Sequence, residues 1–321
     1  MEILHAELPS CDGRTQLSLV VWSVARPRAV VQLTHGMAES IERYDEFARA
    51  LCQAGLLVVG YDLLGHGASV TDEEEWGHYD RRGREHLLAD IDSVRRLCAE
   101  ACGEGVPYVL FGHSMGSFLV RAYLARQGQG VAGAILCGTG SPSIPASGAG
   151  YAVATTLGLV FGMRHRSKLV DGLAVGSYNR AFEPTRTSCD WLSRNEASVD
   201  AYVADPRDGF TFTVGGYRML TSLTALVARR RTFRQTPANL PLLLISGTCD
   251  PVGDFGAGPR KVCRLYRDTG HADTTLRLYE GDRHEVLQEL DRASVFEDVI
   301  DWIDSNVLSG RGTAAGTGAG R

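Results

Sequence analysis

The sequence lacks a continuous apolar run of the length that a membrane span requires. The longest comparable stretch, residues 151–163, is short and is interrupted by threonine and glycine. The first ten residues, MEILHAELPS, contain neither a basic segment nor an apolar segment, so they do not resemble a secretory signal peptide. We therefore expect a cytoplasmic protein.

Lysine is almost absent, since only Lys168 and Lys261 occur among 33 basic residues. The formal net charge of −5 disfavours a protein that binds nucleic acid through general electrostatic attraction. The eight cysteines show no metal-type spacing: Cys98 and Cys102 lie one helical turn apart, with no second Cys/His pair beside them. We expect reduced core cysteines and neither a metal nor a cofactor.

The most informative motif is FGHSMGS at residues 111–117, a Gly-x-Ser-x-Gly pattern around Ser114. It follows an apolar run that predicts a buried strand and precedes a segment with helical composition. A serine between a strand and a helix, flanked by Gly112 and Gly116, is typical of a nucleophile elbow. The pattern predicts a sharp turn that presents Ser114 to a substrate.

Apolar strand patterns alternate with amphipathic helix patterns along most of the chain, which predicts an α/β fold with a mostly parallel sheet flanked by helices. Strands are predicted at 17–24, 29–34, 57–61, 107–112, 131–137, 242–246 and 275–279, and helices at 43–54, 84–102 and 295–303. The alternation stops between 141 and 236, where short helical patterns predict a helical cap inserted after a core strand. We predict a core at 1–140 and 237–308, a cap at 141–236 and a disordered tail at 309–321.

A serine hydroxyl needs a base to become a good nucleophile, and on such a scaffold the order along the chain is serine, acid, histidine. Asp250 follows the strand at 242–246 and is the predicted acid, with Asp254 as its rival. His284 follows the last strand and is the predicted base, whereas His271 precedes that strand. The sequence therefore predicts a triad of Ser114, Asp250 and His284.

An oxyanion hole requires two backbone amides that point at the reacting carbonyl oxygen. The residue after the nucleophile, Met115, provides one candidate. The loop after the strand at 29–34 reads His35-Gly36-Met37, and its Met37 amide is the other candidate. The glycine-containing loop at 62–67 is interpreted as structural.

The motifs together resemble the monoacylglycerol lipase and lysophospholipase group of α/β-hydrolases. The matching segments are THGMAE with Arg43 and Tyr44 after it, YDLLGHGAS, GHSMGS, GTCDPVG and LYEGDRHEVLQE, in order across residues 30–305. The resemblance implies a hydrolase sheet with a helical cap, no cofactor, and hydrolysis of a small-molecule ester with a long acyl chain through an acyl-enzyme. It carries over the same triad and the same two oxyanion amides.

The cap is rich in large apolar side chains, which predicts a channel for an acyl chain. Trp191 and Phe212 are the predicted substrate contacts. Between residues 141 and 236 there are twelve Arg or Lys and seven Asp or Glu, whereas the rest of the chain is acidic. This asymmetry indicates either transient contact with an anionic membrane surface through the cap or only a solvated basic face.

Two rival functions stay open at this point. An aminopeptidase of the same fold would need cap carboxylates for the substrate ammonium group, and Glu183, Asp190, Glu196 and Asp200 are available. A non-catalytic ligand receptor of this fold could retain the triad. Acyl length, head group and oligomeric state are not determined by these patterns.

Overall fold

The computed structural model describes residues 1–103 and 105–309. The predicted tail at 309–321 therefore lies, except for Ser309, outside the described residues. The strands are β1 (Glu2–Pro9), β2 (Gln16–Ser23), β3 (Val30–Thr34), β4 (Leu57–Tyr61), β5 (Tyr108–His113), β6 (Gly133–Cys137), β7 (Leu242–Gly247) and β8 (Thr274–Tyr279).

Helices connect most of the parallel strands and also form a separate group between β6 and β7. Their bounds are α1 (Asp45–Gln53), α2 (Gly83–Cys102), α3 (Met115–Gln127), α4 (Ile144–Phe161), α5 (Lys168–Ala174), α6 (Glu196–Ala204), α7 (Val214–Val227), α8 (Arg230–Gln235), α9 (Ala257–Arg267) and α10 (Arg292–Ile303). Short 3₁₀ turns occur at Ile41–Tyr44, Gly67–Ser69, Glu73–Glu75, Tyr178–Phe182 and Val286–Gln288, and a π-helical turn at Asp304–Leu308.

The strands form one sheet in the order β1-β2-β4-β3-β5-β6-β7-β8. Pairing is parallel from β4 through β8, and β1 and β2 are antiparallel at one edge. The prediction of an α/β fold with a mostly parallel sheet is therefore confirmed. Strand β1 and helix α9 were not predicted; β1 is exposed on both faces over most of its length, so no buried periodicity marks it.

Apolar cores cover both faces of the sheet, as a mainly parallel sheet requires. One core includes side chains of α2, α3, α7 and α9, and the other includes side chains of α1 and α10. Strand β5 lies between β3 and β6 and is buried at all six positions. The end of β5 is consequently held rigidly at the centre of the sheet, where Ser114 follows it.

The helices between β6 and β7, α4 to α8, occupy the segment predicted as the cap, and we use that name for residues 141–236. Helix α4 begins with the Ser143 hydroxyl accepting from the Ala146 amide at 3.2 Å, and Pro145 lies in its first turn. Among the described residues, α4 alone is long and apolar enough to cross a membrane by length and composition. The apolar stretch at 151–163 did not indicate a helix of this length, because α4 begins seven residues earlier, at Ile144.

Candidate active site

Ser114 stands on a sharp turn between β5 and α3. Its φ of 50° and ψ of −117° lie in a region that non-glycine residues rarely adopt, so the surrounding structure holds the turn under strain. The Ser114 amide donates to the Cys137 carbonyl at 2.9 Å, which fixes the turn to the neighbouring strand β6. The predicted elbow geometry is present.

The two glycines of the elbow are required because backbone passes close to both. A Cβ on Gly116 would collide with the carbonyl oxygens of Thr34 and His35. A Cβ on Gly112 would meet the Gly116 carbonyl and the Ser117 amide. This close packing draws the Ser114 elbow and the loop after β3 together.

His284 and Asp250 form a buried pair at the ends of the last two strands. The His284 Nδ1 atom lies 2.9 Å from Asp250 Oδ1, and both side chains are buried. Asp250 also accepts from the Val252 amide at 2.9 Å and the Ser246 hydroxyl at 3.3 Å. These bonds hold the carboxylate on Nδ1 and leave Nε2 as the nitrogen available to a substrate or nucleophile.

The pair also alters the protonation of the histidine. Burial alone would lower the pKa of His284, but the charge and hydrogen bond of Asp250 outweigh it and raise that pKa above its ordinary value of 6.5. His284 and Ser114 line the same cavity. No hydrogen bond joins these two side chains in residues 1–103 and 105–309; catalytic contacts of this kind commonly tighten only when substrate is bound.

The rival candidates lie elsewhere. Asp254 is exposed, with φ of 49°, on the cavity wall, and no bond joins it to His284 within the described chain. The His271 ring is fully buried, with Nε2 3.1 Å from the Thr236 carbonyl and Nδ1 3.1 Å from the Tyr266 carbonyl. His271 therefore has a structural position beneath the cap.

Both candidate oxyanion residues, Met37 and Met115, line the cavity beside Ser114. Met115 is the first residue of α3, where the amide has no acceptor within the helix. The Met37 amide donates no hydrogen bond within the described part of the chain. Two free amides near a strained serine form an arrangement that can bind an oxyanion.

The loop that carries Met37 is held by His66, which belongs to the loop interpreted as structural from the sequence, and by Tyr202 and Gly209, to which the sequence assigned no role. The Ala38 amide donates to His66 Nε2 at 3.1 Å, and Ala38 itself adopts φ of 53°. Burial and the neighbouring His35 lower the pKa of His66 well below 6.5, so His66 is neutral and can accept this bond. The Ala38 carbonyl accepts from the Tyr202 hydroxyl at 3.0 Å and the Gly209 amide at 2.8 Å, both in the cap.

A buried charge cluster lies next to this loop. Arg43 makes a two-bond contact with Glu285 at 2.6 and 2.7 Å, and it reaches Glu39 at 3.1 Å and Asp208 at 3.6 Å. Burial raises the pKa of Glu39, and it raises the pKa of Asp208 to about 7, with Arg43 acting against both shifts. The cluster joins three parts of the molecule: the residue after His284, the cap, and the loop after β3 that carries Met37, which we call the oxyanion loop after its predicted role.

A cavity of about 860 Å³ opens above Ser114 between the cap and the sheet. Trp191 lines it, with its ring centroid 5.2 Å from that of His284. Phe212, the other predicted contact, is fully buried against His66, Tyr79 and Tyr217 and is not among the lining residues. Phe210, two residues earlier in the chain, is on the wall instead.

The chain resembles characterised proteins over almost its whole length. A family model described as serine aminopeptidase, S33, matches residues 25–291. Human monoglyceride lipase is 28% identical over 319 residues, 98% of this chain and 95% of that protein. Monoacylglycerol lipase of Mycolicibacterium smegmatis is 29% identical over 300 residues, 92% of this chain and 95% of that protein. The crystal structure of a carboxyl esterase from Bacillus coagulans in complex with glycerol has a TM-score of 0.88 at 27% identity, covering 96% of this chain and 99% of that one.

Proposed function

The chain belongs to the serine aminopeptidase S33 family of α/β-hydrolases and is a lipid ester hydrolase, and we propose that its substrates are monoacylglycerols, cleaved through an acyl-enzyme. The observation that carries this proposal is the convergence of Ser114, the His284–Asp250 pair and two free amides on one large cavity. The names of the two lipase relatives agree with it.

In the proposed reaction, neutral His284 takes the proton of the Ser114 hydroxyl through Nε2 as the Ser114 oxygen attacks the ester carbonyl. The Met37 and Met115 amides donate to the oxyanion that forms. Collapse of the intermediate breaks the bond to the glycerol oxygen, which receives the proton from His284. A water molecule then attacks the acyl-enzyme by the same route, releasing the fatty acid and restoring Ser114.

The charge on the cavity wall favours a neutral head group over a phosphodiester. Among the residues that the structure describes, Lys261 is the only lysine or arginine on the wall. Four carboxylates line it: Glu39, Asp171, Asp254 and Glu285. Asp171 and Asp254 form no ion pair in the described residues, so their charge would disfavour the phosphate of a lysophospholipid, whereas the hydroxyls of glycerol carry no charge. We therefore rank lysophospholipids second.

The same wall argues against an aminopeptidase, although the family model carries that description. Glu183, Asp190, Glu196 and Asp200 do not line the cavity. The wall carboxylates Glu39 and Glu285 are paired with Arg43, and Asp171 accepts from the Tyr217 hydroxyl. A substrate ammonium group would have to displace these partners or use the exposed Asp254.

We further propose that the enzyme meets its lipid at a membrane surface through helix α4. The helix has no charged side chain, and most of its surface is exposed. Leu159 is 80% exposed, and Leu173 of the following helix α5 is 72% exposed. An exposed apolar surface of this kind, on the cap that covers the cavity, suits contact with the apolar part of a bilayer.

The deciding experiment compares substrates that share one acyl chain. Purified protein is assayed in detergent micelles on a monoacylglycerol and on the matching lysophosphatidylcholine, and an alanyl arylamide serves as the peptidase substrate. Reactions without enzyme give the background rate against which any turnover is judged. We expect kcat/KM for the monoacylglycerol to exceed that for the lysophospholipid by on the order of tenfold. Faster cleavage of the arylamide than of any ester would replace the lipase proposal by the peptidase, and no turnover would favour a receptor.

A further inference from the structure

A second cavity, separate from the catalytic one, lies between α4, α7 and the segment that leads into α2. Its volume is about 430 Å³, and Arg81, Arg84, Arg218 and Arg229 line it. We call it the arginine groove. It shares no lining residue with the catalytic cavity: α7 turns Leu220 towards the catalytic cavity and Arg218 towards the groove, and Arg229, which follows α7, lies on the groove side.

The positive charge of the groove is not balanced among the residues that line it. Two carboxylates, Asp80 and Glu85, face the four arginines. Arg84 donates to Glu85 at 2.6 Å and to the Ser222 carbonyl at 3.2 Å, so this arginine is held in place and its charge is matched. Asp80 accepts from the Arg82 amide at 2.7 Å and lies 3.8 Å from His86 Nδ1.

The three other guanidinium groups of the groove are available to a ligand. In residues 1–103 and 105–309, the side chains of Arg81, Arg218 and Arg229 make no hydrogen bond, ion pair or ring contact. A guanidinium group presents a planar pair of donors that matches two oxygens of a phosphate group. Three such groups around one cavity favour a phosphate over a single carboxylate or a cation.

Helix α4 contributes an apolar part of the remaining wall of the groove. Ile144 and Tyr151 line the groove and are still 49% and 42% exposed. The groove is therefore continuous with the helix surface that we propose to contact the bilayer. A ligand that enters here meets an apolar surface on one side and cations on the other.

From this juxtaposition we propose that the arginine groove binds the phosphate group of an anionic lipid head group while α4 lies on the bilayer. The proposal rests on the membrane contact of α4 given under the proposed function. The bound lipid is not the substrate, since the groove has no access to Ser114 through a shared wall residue. Its role is to hold the cap at membranes that contain anionic phospholipid.

The test uses two double variants that remove the same charge. Arg218→Gln with Arg229→Gln alters the groove, and Arg230→Gln with Arg231→Gln alters two exposed arginines of α8 outside it. Full-length proteins are sedimented with phosphatidylcholine vesicles, with and without phosphatidic acid. Melting temperature and hydrolysis of a short soluble ester establish that each variant is folded. The single variant Arg81→Gln removes a further, exposed arginine from the groove.

We expect phosphatidic acid to strengthen vesicle binding of the unaltered protein and of the α8 variant. In the groove variant this increase in binding should be smaller by on the order of tenfold or more. Equal loss in the two double variants would show a diffuse charge effect and overturn the site. Glycerol 3-phosphate is also added in solution at the same concentration as the phosphatidic acid of the vesicles. If it abolishes the increase in binding, the groove is assigned to a soluble phosphate instead. Binding to neutral vesicles and monoacylglycerol hydrolysis in micelles report the proposed function separately, because neither involves the groove.

Discussion

Ser114 combines a strained backbone conformation with a side chain that is only half-buried. Its positive φ is maintained by close packing of Gly112 and Gly116 and by the bond from its amide to Cys137. Strain of this kind costs on the order of 1–3 kcal/mol and persists only where the surrounding structure enforces it. The half-buried hydroxyl is consequently presented to the cavity rather than packed against the core.

Ser114→Ala should abolish ester hydrolysis and labelling by a fluorophosphonate. Loss of the nucleophile should lower the rate on the order of 10⁴-fold, because the oxyanion amides and binding alone retain only residual catalysis. The control is Ser141→Ala, which removes another hydroxyl from the cavity wall. Labelling that survives in Ser114→Ala but not in the control would place the nucleophile elsewhere.

The His284–Asp250 pair predicts a pH dependence of activity. Only neutral His284 can accept the proton, so kcat/KM should fall as pH drops through its pKa, and the raised pKa puts this midpoint above 6.5. The raised value also means that charged His284 stabilises the fold at low pH and that this stabilisation is lost as pH rises through its pKa.

Asp250→Asn should lower kcat/KM on the order of 10³- to 10⁴-fold and move the acidic midpoint to lower pH, since it removes the charge that raises the pKa. The measurement is a pH profile with a short soluble ester. Asp254→Asn should leave the midpoint in place, because Asp254 does not bond to His284. A midpoint that moves in Asp254→Asn and not in Asp250→Asn would reverse the assignment of the acid.

Trp191 and Phe212 are predicted to act differently because one lines the cavity and the other is buried. Each acyl methylene that the cavity buries is worth about 0.8 kcal/mol, so kcat/KM should rise from acetyl to octanoyl esters. Trp191→Ala should flatten this rise more than it lowers acetyl turnover. Phe212→Ala should instead lower the free energy of unfolding by about 3–5 kcal/mol. A chain-length profile altered only by Phe212→Ala would contradict this division.

At the level of elements, polar contacts add to the apolar packing of α7 in aligning the cap with the sheet. Tyr202, just inside the end of α6, and Gly209 both donate to the Ala38 carbonyl of the oxyanion loop. Phe210 then lines the cavity, and Phe212 packs on His66, which holds the Ala38 amide. The cap and the oxyanion loop therefore form one packed unit.

Helix α4 is attached to this unit along a narrow stripe. Ser147, Ala154 and Gly158 are its buried residues, and Leu159, Val160 and Phe161 at its end are mostly exposed. Leu159→Ser with Val160→Ser should weaken vesicle binding, and hydrolysis of vesicle-embedded monoacylglycerol, on the order of tenfold or more. Hydrolysis of a short soluble ester should be unchanged, because neither residue lines the cavity.

The matched control for α4 is Leu4→Ser with Leu97→Ser, which removes two exposed leucines that lie outside the cap. Equal loss of vesicle binding in the control would show that general surface hydrophobicity, not α4, brings the protein to lipid. Sedimentation with phosphatidylcholine vesicles gives the comparison.

At the scale of the whole molecule, Arg43 is the side chain that joins the core, the oxyanion loop and the cap. Arg43→Gln would leave Glu39, Glu285 and Asp208 without their cation in a buried site. The expected loss is about 3–5 kcal/mol of unfolding free energy. It should grow as pH rises through about 7, the pKa of Asp208, because an ionised carboxylate without a partner costs more than a protonated one.

Thermal unfolding across a range of pH provides the measurement. Arg49→Gln is the control, since Arg49 forms an exposed ion pair with Asp45 on α1 and should change stability little. A similar melting temperature for both variants would show that the buried cluster contributes no more than a surface pair.

The sequence by itself determined the alternating fold and the order of the chemical groups along the chain. Strands such as β5 carry continuous apolar runs, and helix α2 carries a clear apolar stripe, so local periodicity predicted both. The motif around Ser114 and the strand ends before Asp250 and His284 are local signals too. Their joint role in catalysis stays a prediction, although the structure brings Asp250 and His284 within hydrogen-bond distance.

Only the tertiary structure decided which cap residue faces the cavity, what holds the oxyanion loop, and where free charge remains. Phe210 and Phe212 are two residues apart and chemically identical, so no periodicity distinguishes the lining ring from the buried one. Arg43 and Asp208 are far apart in sequence but form an ion pair, and Arg81 and Arg229 line one groove, only because the cap folds back on the sheet. Contacts between distant segments depend on packing geometry, and local sequence carries no record of it.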